Sequence, residues 1–393
     1  MPKTLIVGDL HLGKGFSIGK PGVGNQLNSR GSDQYSLLQW LHETCLSNHV
    51  NSIIFTGDIF EDSNPDFKLV TLFVQWLKQC ESSFIDVHIV IGNHDIKRSG
   101  QKYISVLDVI QSSEFENVYI YKDIDTIFNG TTAFTLIPFR DRRTLECQTH
   151  KEAIDKLNQL MKFELPKIPP YYDKIIVGHL ALEGSIPIGD EFDDSSNELM
   201  CPYSLFNGYD FVWMGHVHKP QIKRQNPHIA HIGSLDISNF GETDHKKIVI
   251  IFDSESEQKF ETLYVPTRKL VNISVEYNDD VDVTADLTDK ISKLNVRGSY
   301  LKIDIKLISD KPKSVDRSSI YKLASDLGVF HISSINETRS IVVVPKAKQM
   351  DVNYTVDAKG AVKLYADTVN FKSDEQKSKF ISMCIDIIDE VSK

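Results

Sequence analysis

Five short segments of the chain combine aspartate, asparagine and histidine side chains, which are good ligands for divalent metal ions. The segments span residues 9–11, 57–58, 92–95, 178–179 and 215–218. The candidate ligands within them are Asp9, His11, Asp58, Asn93, His179, His216 and His218. Imidazole nitrogens mixed with carboxylate and amide oxygens suit a pair of borderline divalent ions. Since two such ions can activate water and clamp a phosphate group, we predict a two-metal phosphoesterase.

Each segment directly follows a short β-branched or apolar run that is typical of a buried strand. The predicted strands are Thr4–Val7, Ser52–Thr56, Val87–Ile91, Lys174–Val177 and Asp210–Met214. Buried parallel strands that end in polar residues would project them from one rim of a sheet, where open α/β sheets bind their ligands. The sequence therefore predicts that these distant segments converge at the carboxyl edge of a sheet.

The chain of 393 residues is longer than a typical single domain, so we predict more than one. Residues 1–265 alternate strand and helix patterns and then lose their helices, which is typical of a four-layer αββα sandwich. Residues 268–345 repeat the alternation and predict a small α/β domain. Residues 346–393 begin as a polar connector and end in Ser373–Val391, whose apolar residues recur at helical spacing.

The helical patterns and the closing strands complete this prediction. Helices are predicted over residues 33–48, 66–80, 102–111, 150–162, 284–294, 316–327 and 373–391. Three strand patterns after the last metal segment, at 228–232, 247–252 and 260–265, are expected to be antiparallel and to close the first domain. In the small domain, strands are predicted at 269–277, 300–307 and 340–344.

Composition excludes several classes of protein. Five scattered cysteines without C-x-x-C spacing argue for a reducing cytoplasm and against a disulfide framework or structural zinc. No run of about 18 apolar residues occurs, so we expect no membrane-spanning helix, and the early first strand leaves no room for a removable signal peptide. The net charge of −10 argues on its face against a nucleic-acid partner, although bound divalent ions would offset part of it.

The five segments, in this order, resemble the calcineurin-like metallophosphoesterase superfamily. Its pattern is D-x-H, G-D, G-N-H-D/E, G-H and G-H-x-H, and each block is intact here. Within the superfamily the chain is most similar to the nuclease subunit of SbcC–SbcD-type DNA repair complexes, through residues 178–180, 209–221, 233–234 and 240–242. Two positions depart from that family: Glu61 replaces a frequent His or Asp, and Leu235 replaces a frequent Pro.

The resemblance implies two ion sites that share one carboxylate. Asp9, His11, Asp58 and His218 would hold the first ion, and Asp58, Asn93, His179 and His216 the second. Mn²⁺ is the ion that the family favours, with Mg²⁺, Fe²⁺ or Zn²⁺ as alternatives. His94 follows a ligand directly and is expected to act as general acid toward the leaving oxygen, while Asp95 is expected to hold its tautomer.

The resemblance also implies a function and partners. The chain would be a metal-dependent DNA nuclease, a double-strand exonuclease and single-strand endonuclease, acting as a homodimer in the cytoplasm of a bacterium or a phage-infected cell. Its C-terminal helix would bind an SMC-like ATPase of the SbcC type. A nucleotide or small-molecule metallophosphodiesterase is the first alternative, disfavoured by the extra residues 268–393. A non-catalytic scaffold is the second, disfavoured because no ligand is lost.

Two groups of basic residues are candidates for binding the substrate backbone. The first lies in the glycine-rich loop 13–31, and the second follows the strand pattern at 133–139. The groups consist of Lys14, Lys20 and Arg30, and of Arg140, Arg142 and Arg143. The alternatives are a solvated loop for the first group and a surface charge cluster for the second.

Overall fold

The computed structural model describes residues 2–24, 26–99, 102–186, 198–278, 282–308, 315–340, 358–369, 371 and 373–391. The chain forms two compact units, residues 1–341 and residues 342–393. The acidic loop 190–194, which formed part of the family resemblance, lies outside the described residues.

The larger unit contains all strands of the described residues. These are β1 (Lys3–Val7), β2 (Val50–Phe55), β3 (Asp86–Val90), β4 (Lys97–Ser99), β5 (Lys102–Ile104), β6 (Val118–Tyr121), β7 (Asp125–Asn129), β8 (Thr132–Ile137), β9 (Asp173–Gly178), β10 (Ala181–Leu182), β11 (Met200–Cys201), β12 (Phe211–Met214), β13 (Gln221–Gln225), β14 (His228–His231), β15 (Ile248–Asp253), β16 (Phe260–Tyr264), β17 (Leu270–Tyr277), β18 (Tyr300–Ile308) and β19 (His331–Ser340). The helices are α1 (Ser29–Asn48), α2 (Phe67–Ser82), α3 (Val106–Gln111), α4 (His150–Glu164), α5 (Val283–Ser292), α6 (Arg317–Asp326), α7 (Ala358–Thr368) and α8 (Asp374–Val391).

Two six-stranded sheets form the centre of the larger unit. Their strand orders are β16-β15-β1-β2-β3-β6 and β13-β14-β12-β9-β8-β7. Fully buried side chains such as Ile6, Ile54, Phe134 and Val177 fill the space between the sheets. The helices α1, α2 and α3 cover the outer face of the first sheet, and α4 covers that of the second. The predicted αββα sandwich is therefore confirmed.

Local hydrogen bonds set the helix starts, and they explain two differences from the predicted bounds. Helix α1 begins four residues before the predicted start because Asn28 caps it, its side chain accepting from Arg30 N at 2.9 Å. Helix α3 begins only at Val106, because Ser105 and Asp108 form a capping box there. The preceding residues, predicted as helix, form the strand β5 paired with β4.

The strand pairing corrects the predicted end of the sandwich. β15 pairs antiparallel with β1 and β16 with β15, as predicted. However, β14 runs parallel to β12 and is antiparallel only to the edge strand β13. The sequence patterns missed both β13 and β7, because these strands form the edges of the second sheet and alternate too weakly in polarity.

The residues predicted as a small α/β domain form a parallel three-stranded sheet, ordered β17-β18-β19. α5 and α6 pack on it through buried residues such as Leu287, Ile291 and Ile320. The third strand, His331–Ser340, precedes the predicted 340–344, of which residues 341–344 lie outside the described part. A domain boundary between residues 265 and 268 stays a prediction.

The smaller unit is a pair of helices. α8 agrees with the predicted 373–391, whereas α7 occupies a stretch that the sequence suggested was a polar connector. The rings of Tyr365 and Phe380 lie 6.4 Å apart, and Lys377 Nζ contacts Asp367 Oδ1 at 2.7 Å. Within the described residues, no helix is long and apolar enough to cross a membrane.

Candidate metal centre

The candidate ligands converge where the carboxyl ends of strands from both sheets meet. Asp9, Asp58 and Asn93 follow β1, β2 and β3 of the first sheet. His179 follows β9 of the second sheet, and His216 and His218 follow β12. The prediction of a single sheet rim is thus wrong, since the site is built between two sheets stacked face to face. The convergence itself is as predicted.

The backbone of the binding loops is constrained in ways that the motif glycines permit. His11, Asp58 and His216 have left-handed backbones, with φ of 47°, 49° and 75°. Non-glycine residues rarely adopt this conformation, and it concentrates at functional sites. A Cβ atom on Gly92 would lie 2.0 Å from Asp58 Oδ1, and one on Gly215 would lie 2.1 Å from Asp9 Oδ1. Glycine is therefore required where these loops approach the two carboxylates.

The ligands expected for the first ion lie close enough to share one cation. Asp9, His11 and His218 are buried and each offers a ligand atom within 4.8 Å of the others. The Nε2 atoms of His11 and His218 are 2.9 Å apart, and His11 Nε2 lies 3.6 Å from Asp58 Oδ2. Two nitrogens at about 2.1 Å from one ion, at right angles, would be about 3 Å apart. The arrangement therefore fits an ion.

The ligands expected for the second ion are also clustered. His179 Nε2 lies 2.8 Å from Asn93 Oδ1 and 3.2 Å from Asp58 Oδ2. His216 Nδ1 lies 3.0 Å from Asn93 Oδ1 and 3.2 Å from His179 Nε2. Asp58 contacts members of both groups, which is the position a bridging carboxylate requires. The donor set thus fits a second ion that shares Asp58 with the first.

The outer nitrogen of each of three histidines has an oxygen partner. His179 Nδ1 lies 3.1 Å from the Thr56 carbonyl oxygen, and His11 Nδ1 lies 2.8 Å from Glu61 Oε2. His216 Nε2 contacts the Glu198 carboxylate. Such partners orient a ligand and leave the inner nitrogen free to bind a metal. Sequence reasoning missed both glutamates: Glu61 stood out only as a departure from the family, and Glu198 had no signal of its own.

A buried ion pair supports the loop that carries His218. Lys247 Nζ donates to the His218 carbonyl oxygen at 3.0 Å and to Glu242 Oε2 at 2.6 Å. It also donates to Ser234 Oγ at 2.7 Å. Lys247 and Glu242 are both buried, so each charge depends on the other for compensation. Lys247 is another site residue that the sequence did not reveal, since a lysine at the start of a strand is usually exposed.

The electrostatics of the centre favour cations. Burial alone would lower the pKa of His179, but the carboxylates of Asp58 and Asp9 outweigh it and raise that pKa to about 9. A proton therefore lies where a metal ion could replace it. Burial, reinforced by the neighbouring imidazoles, holds the pKa values of His216 and His218 well below the usual range. Those two rings are neutral near pH 7, the form that binds metal ions.

Asp95 lies elsewhere than expected. Its Oδ1 accepts from the backbone N–H groups of Ile59 and Phe60, at 2.9 and 3.3 Å, and its Oδ2 accepts from Gly92 N at 3.0 Å. His94 Nδ1 lies 2.8 Å from the Glu61 carbonyl oxygen. The expected contact between Asp95 and His94 is wrong, because Glu61 takes that role. Asp95 instead ties the loop after β2 to the loop after β3.

The structure separates the three candidate basic residues of the glycine-rich loop. Arg30 is 0% exposed, with Nη2 2.5 Å from Asp236 Oδ2 and 2.6 Å from the Ile237 carbonyl oxygen. It cannot reach a substrate, so its predicted role is wrong: the start of α1 draws it into the interior. Lys14 Nζ lies 3.2 Å from Glu61 Oε2, beside the metal centre. Lys20 is exposed.

The second basic group follows β8. Arg140 Nη2 donates to the Lys122 carbonyl oxygen at 2.7 Å and to Asp123 Oδ1 at 3.3 Å. Arg142 is half-buried and Arg143 is exposed. The neighbouring Phe139 ring lies 6.0 Å from the His216 ring, so this segment borders the metal centre. A substrate contact by these arginines stays a prediction.

Comparisons with known proteins agree with the geometry. A family model described as calcineurin-like phosphoesterase matches residues 2–220, which contain all the candidate ligands. The chain is 24% identical to the SbcD component of the nuclease SbcCD of Escherichia coli strain K12 over 307 residues, covering 72% of this chain and 73% of that protein. It is 24% identical over 295 residues to the same component of the Staphylococcus epidermidis nuclease, covering 72% and 74%. It is 23% identical over 337 residues to the DNA double-strand break repair protein Mre11 of Aeropyrum pernix, covering 81% and 76%.

Proposed function

The chain belongs to the calcineurin-like phosphoesterase family, and from that premise we propose that it is a metal-dependent DNA nuclease that hydrolyses phosphodiester bonds. The observation that carries the proposal is the convergence of ligand atoms from both sheets around Asp58. The names of its relatives, a nuclease component and a DNA break repair protein, support DNA as the substrate.

The ion sites follow from the two clusters. Asp9, His11, Asp58 and His218 would hold one divalent ion, and Asp58, Asn93, His179 and His216 the other. Such a pair, with Mn²⁺ preferred, would supply an activated water and neutralise charge on the phosphate oxygens. Because Asn93 contributes a neutral amide oxygen, the site keeps enough positive charge to admit a phosphodiester anion.

His94 is the proposed general acid. The contact of its Nδ1 with the Glu61 carbonyl oxygen leaves Nε2 as the atom that gives a proton to the leaving oxygen. Its backbone N–H donates to Asp58 Oδ1 at 2.8 Å, so the residue is attached directly to the metal centre. His94 is half-buried, which leaves the ring accessible to a substrate. Asp95 acts as a positioning residue for this loop.

The partners proposed for the chain are those of an SbcC–SbcD-type complex. An SMC-like ATPase binds α8, whose apolar residues recur along one stripe, and the nuclease chain forms a homodimer. The relatives named as components of the nuclease SbcCD support an ATPase partner. Both duplex exonuclease and single-strand endonuclease activity belong to this proposal.

The test compares three substrates in Mn²⁺: linear duplex DNA, circular single-stranded DNA and bis(p-nitrophenyl) phosphate. We expect degradation of both DNA substrates. Asp58→Asn should abolish activity and reduce bound metal in elemental analysis. Asp62→Asn, the same change at an exposed neighbour, should alter neither. Turnover of the small ester alone would contradict the proposal and favour a small-molecule phosphodiesterase, and no turnover by a metal-loaded protein would favour a scaffold.

A further inference from the structure

A cavity of about 430 Å³ opens beside the metal centre, between the loops that follow β3 and β8. Ile91 and Ile96, which flank the loop carrying Asn93, line one side of it. Phe139 lines the other side, and its ring lies 6.0 Å from the ring of His216 and 6.2 Å from that of His179. The cavity and the metal centre therefore share Phe139 as a wall.

The cavity has the chemistry of a site for a flat, mostly apolar ligand. Its volume falls in the range of small-molecule sites, roughly 300–1,000 Å³. Ile104 and Leu160 line its mouth and are 49% and 39% exposed. Phe139 offers an aromatic face, on which a nucleobase can stack whatever its identity.

The polar edge of the cavity is cationic although the whole chain carries a net charge of −10. Lys122, Arg140 and Lys156 line it, against one carboxylate, Asp123. The Asp123 side chain is 98% exposed, so its contact with Arg140 is a surface ion pair worth only about 0–1 kcal/mol. A phosphodiester oxygen could replace it at little cost, and charge complementarity thus favours a nucleic-acid strand.

We propose that this cavity binds the nucleobase of the nucleotide adjacent to the cleaved phosphodiester, stacked against Phe139. The inference rests on the proposed nuclease function and adds a base-binding subsite to it. A phosphate held at the metal centre leaves its nucleoside within reach of Phe139, because this ring borders both spaces. The subsite recognises a base by shape and stacking, and so tolerates any sequence.

The test measures equilibrium binding by calorimetry, using the full chain loaded with Mn²⁺. The ligands are thymidine 5′-monophosphate, 2-deoxyribose 5-phosphate and inorganic phosphate. The wild type should bind the nucleotide about 5- to 100-fold more tightly than the two ligands without a base, as expected for one stacked base. Leu160→Glu should bring this ratio close to one, because it places a carboxylate in the apolar wall.

Phe163→Glu is the matched control, since it makes the same kind of change one turn along α4. Phe163 is 69% exposed and does not line the cavity, so its ratio should equal that of the wild type. Phe139→Leu, which keeps the apolar volume and removes the aromatic face, should also lower the ratio. Equal ratios in Leu160→Glu and the wild type, or equal losses in both glutamate variants, would overturn the inference.

Failure of the subsite can be told apart from failure of the proposed function. DNA hydrolysis without any preference for the nucleotide over phosphate would reject the subsite and leave the nuclease intact. A nucleotide preference abolished by Leu160→Glu, in a protein that cleaves no DNA, would support the cavity as a nucleotide site and reject the nuclease proposal.

Discussion

At the scale of single residues, the candidate centre depends on which nitrogen of each imidazole faces inward. His11, His179 and His216 each have an outer oxygen partner, from a side chain or the backbone. The partner fixes the ring orientation, and changing such a partner typically lowers metal affinity about 10- to 100-fold. Glu61, which replaces the family's frequent His or Asp, therefore belongs to the centre through His11.

Replacing His94 with Ala should separate chemistry from metal binding. We expect turnover to fall by about 10²- to 10⁴-fold, the usual contribution of a general acid. Metal content and DNA affinity should stay near those of the wild type, because the proposed ligand sets do not include His94. Elemental analysis and a binding assay provide these controls. Loss of metal from the variant would show that His94 is a ligand instead of an acid.

His231 should make the protein less stable in acid. It is buried, with Nδ1 2.9 Å from the Gly215 carbonyl oxygen and Nε2 2.9 Å from Ser185 Oγ, and burial lowers its pKa to about 3. The unfolded chain, with a histidine pKa near 6.5, binds this proton at higher pH than the folded chain. The free energy of unfolding should therefore fall by about 2 kcal/mol between about pH 7 and pH 5 from this residue.

The measurement is urea denaturation of the wild type and His231→Gln at both pH values. Glutamine keeps a polar group beside Gly215 but does not titrate in this range. The variant should lose less stability on acidification than the wild type. The same pH dependence in both proteins would mean that other groups dominate the acid response.

At the scale of elements, α1 positions the loop that follows β1. Gln34 Nε2 donates to the carbonyl oxygens of His11 and Lys14, at 3.1 and 3.2 Å, and Gly13 N donates to Gln34 Oε1 at 3.0 Å. One residue earlier, Asp33 contacts Arg268 and Tyr300, which belong to the residues of the small α/β part. The same helix therefore contacts both the metal-binding loop and the small α/β part.

Arg30 and Lys20 should respond oppositely to the same loss of charge. Arg30→Met leaves Asp236 buried without its cation and should cost about 3–5 kcal/mol of unfolding free energy. Lys20→Met, at an exposed position of the same loop, should change stability by less than about 0.5 kcal/mol. Chemical denaturation measures both effects.

The DNA-binding side of this comparison concerns Lys20 alone. If Lys20 contacts a phosphate, its loss should reduce the salt dependence of DNA binding by about one ion. Titrations at several salt concentrations measure this slope. A stable Arg30→Met protein would contradict the structural role of Arg30, and an unchanged slope in Lys20→Met would leave that loop residue solvated, the alternative considered from the sequence.

At the scale of the whole molecule, two sheets stacked face to face create the centre. Neither sheet holds a complete set of ligands, since the carboxylates and Asn93 come from the first, and His179, His216 and His218 from the second. A change that loosens the apolar layer between the sheets would separate the two halves of the site. The centre therefore requires the folded sandwich, while residues 342–393 form a compact unit of their own.

The helical pair at the C-terminal end should serve binding and not hydrolysis. Ile387 on α8 is 58% exposed, so Ile387→Glu should abolish binding to an SbcC-type ATPase in gel filtration. Ser382→Glu adds the same charge at another exposed position of α8 and should bind normally. Both variants should hydrolyse bis(p-nitrophenyl) phosphate at wild-type rates. Normal ATPase binding by Ile387→Glu would exclude this stripe as the contact surface.

The sequence by itself determined the ligand inventory and the strands that carry it, because buried strands and glycine-flanked polar blocks leave local patterns. It also determined the sandwich architecture and most helices, whose apolar periodicity is strong. Edge strands such as β13 and the helix α7 escaped notice, since weakly amphipathic segments have no clear period.

Only the tertiary structure decided which residues meet across the chain. It buried Arg30, turned Asp95 away from His94, and brought Glu61, Glu198 and Lys247 to the metal centre. Such contacts depend on side-chain direction and on how two sheets stack, and neither is written in the local spacing of residues. The chemistry of the site is therefore visible in the sequence, whereas the residues that orient it are visible only in the fold.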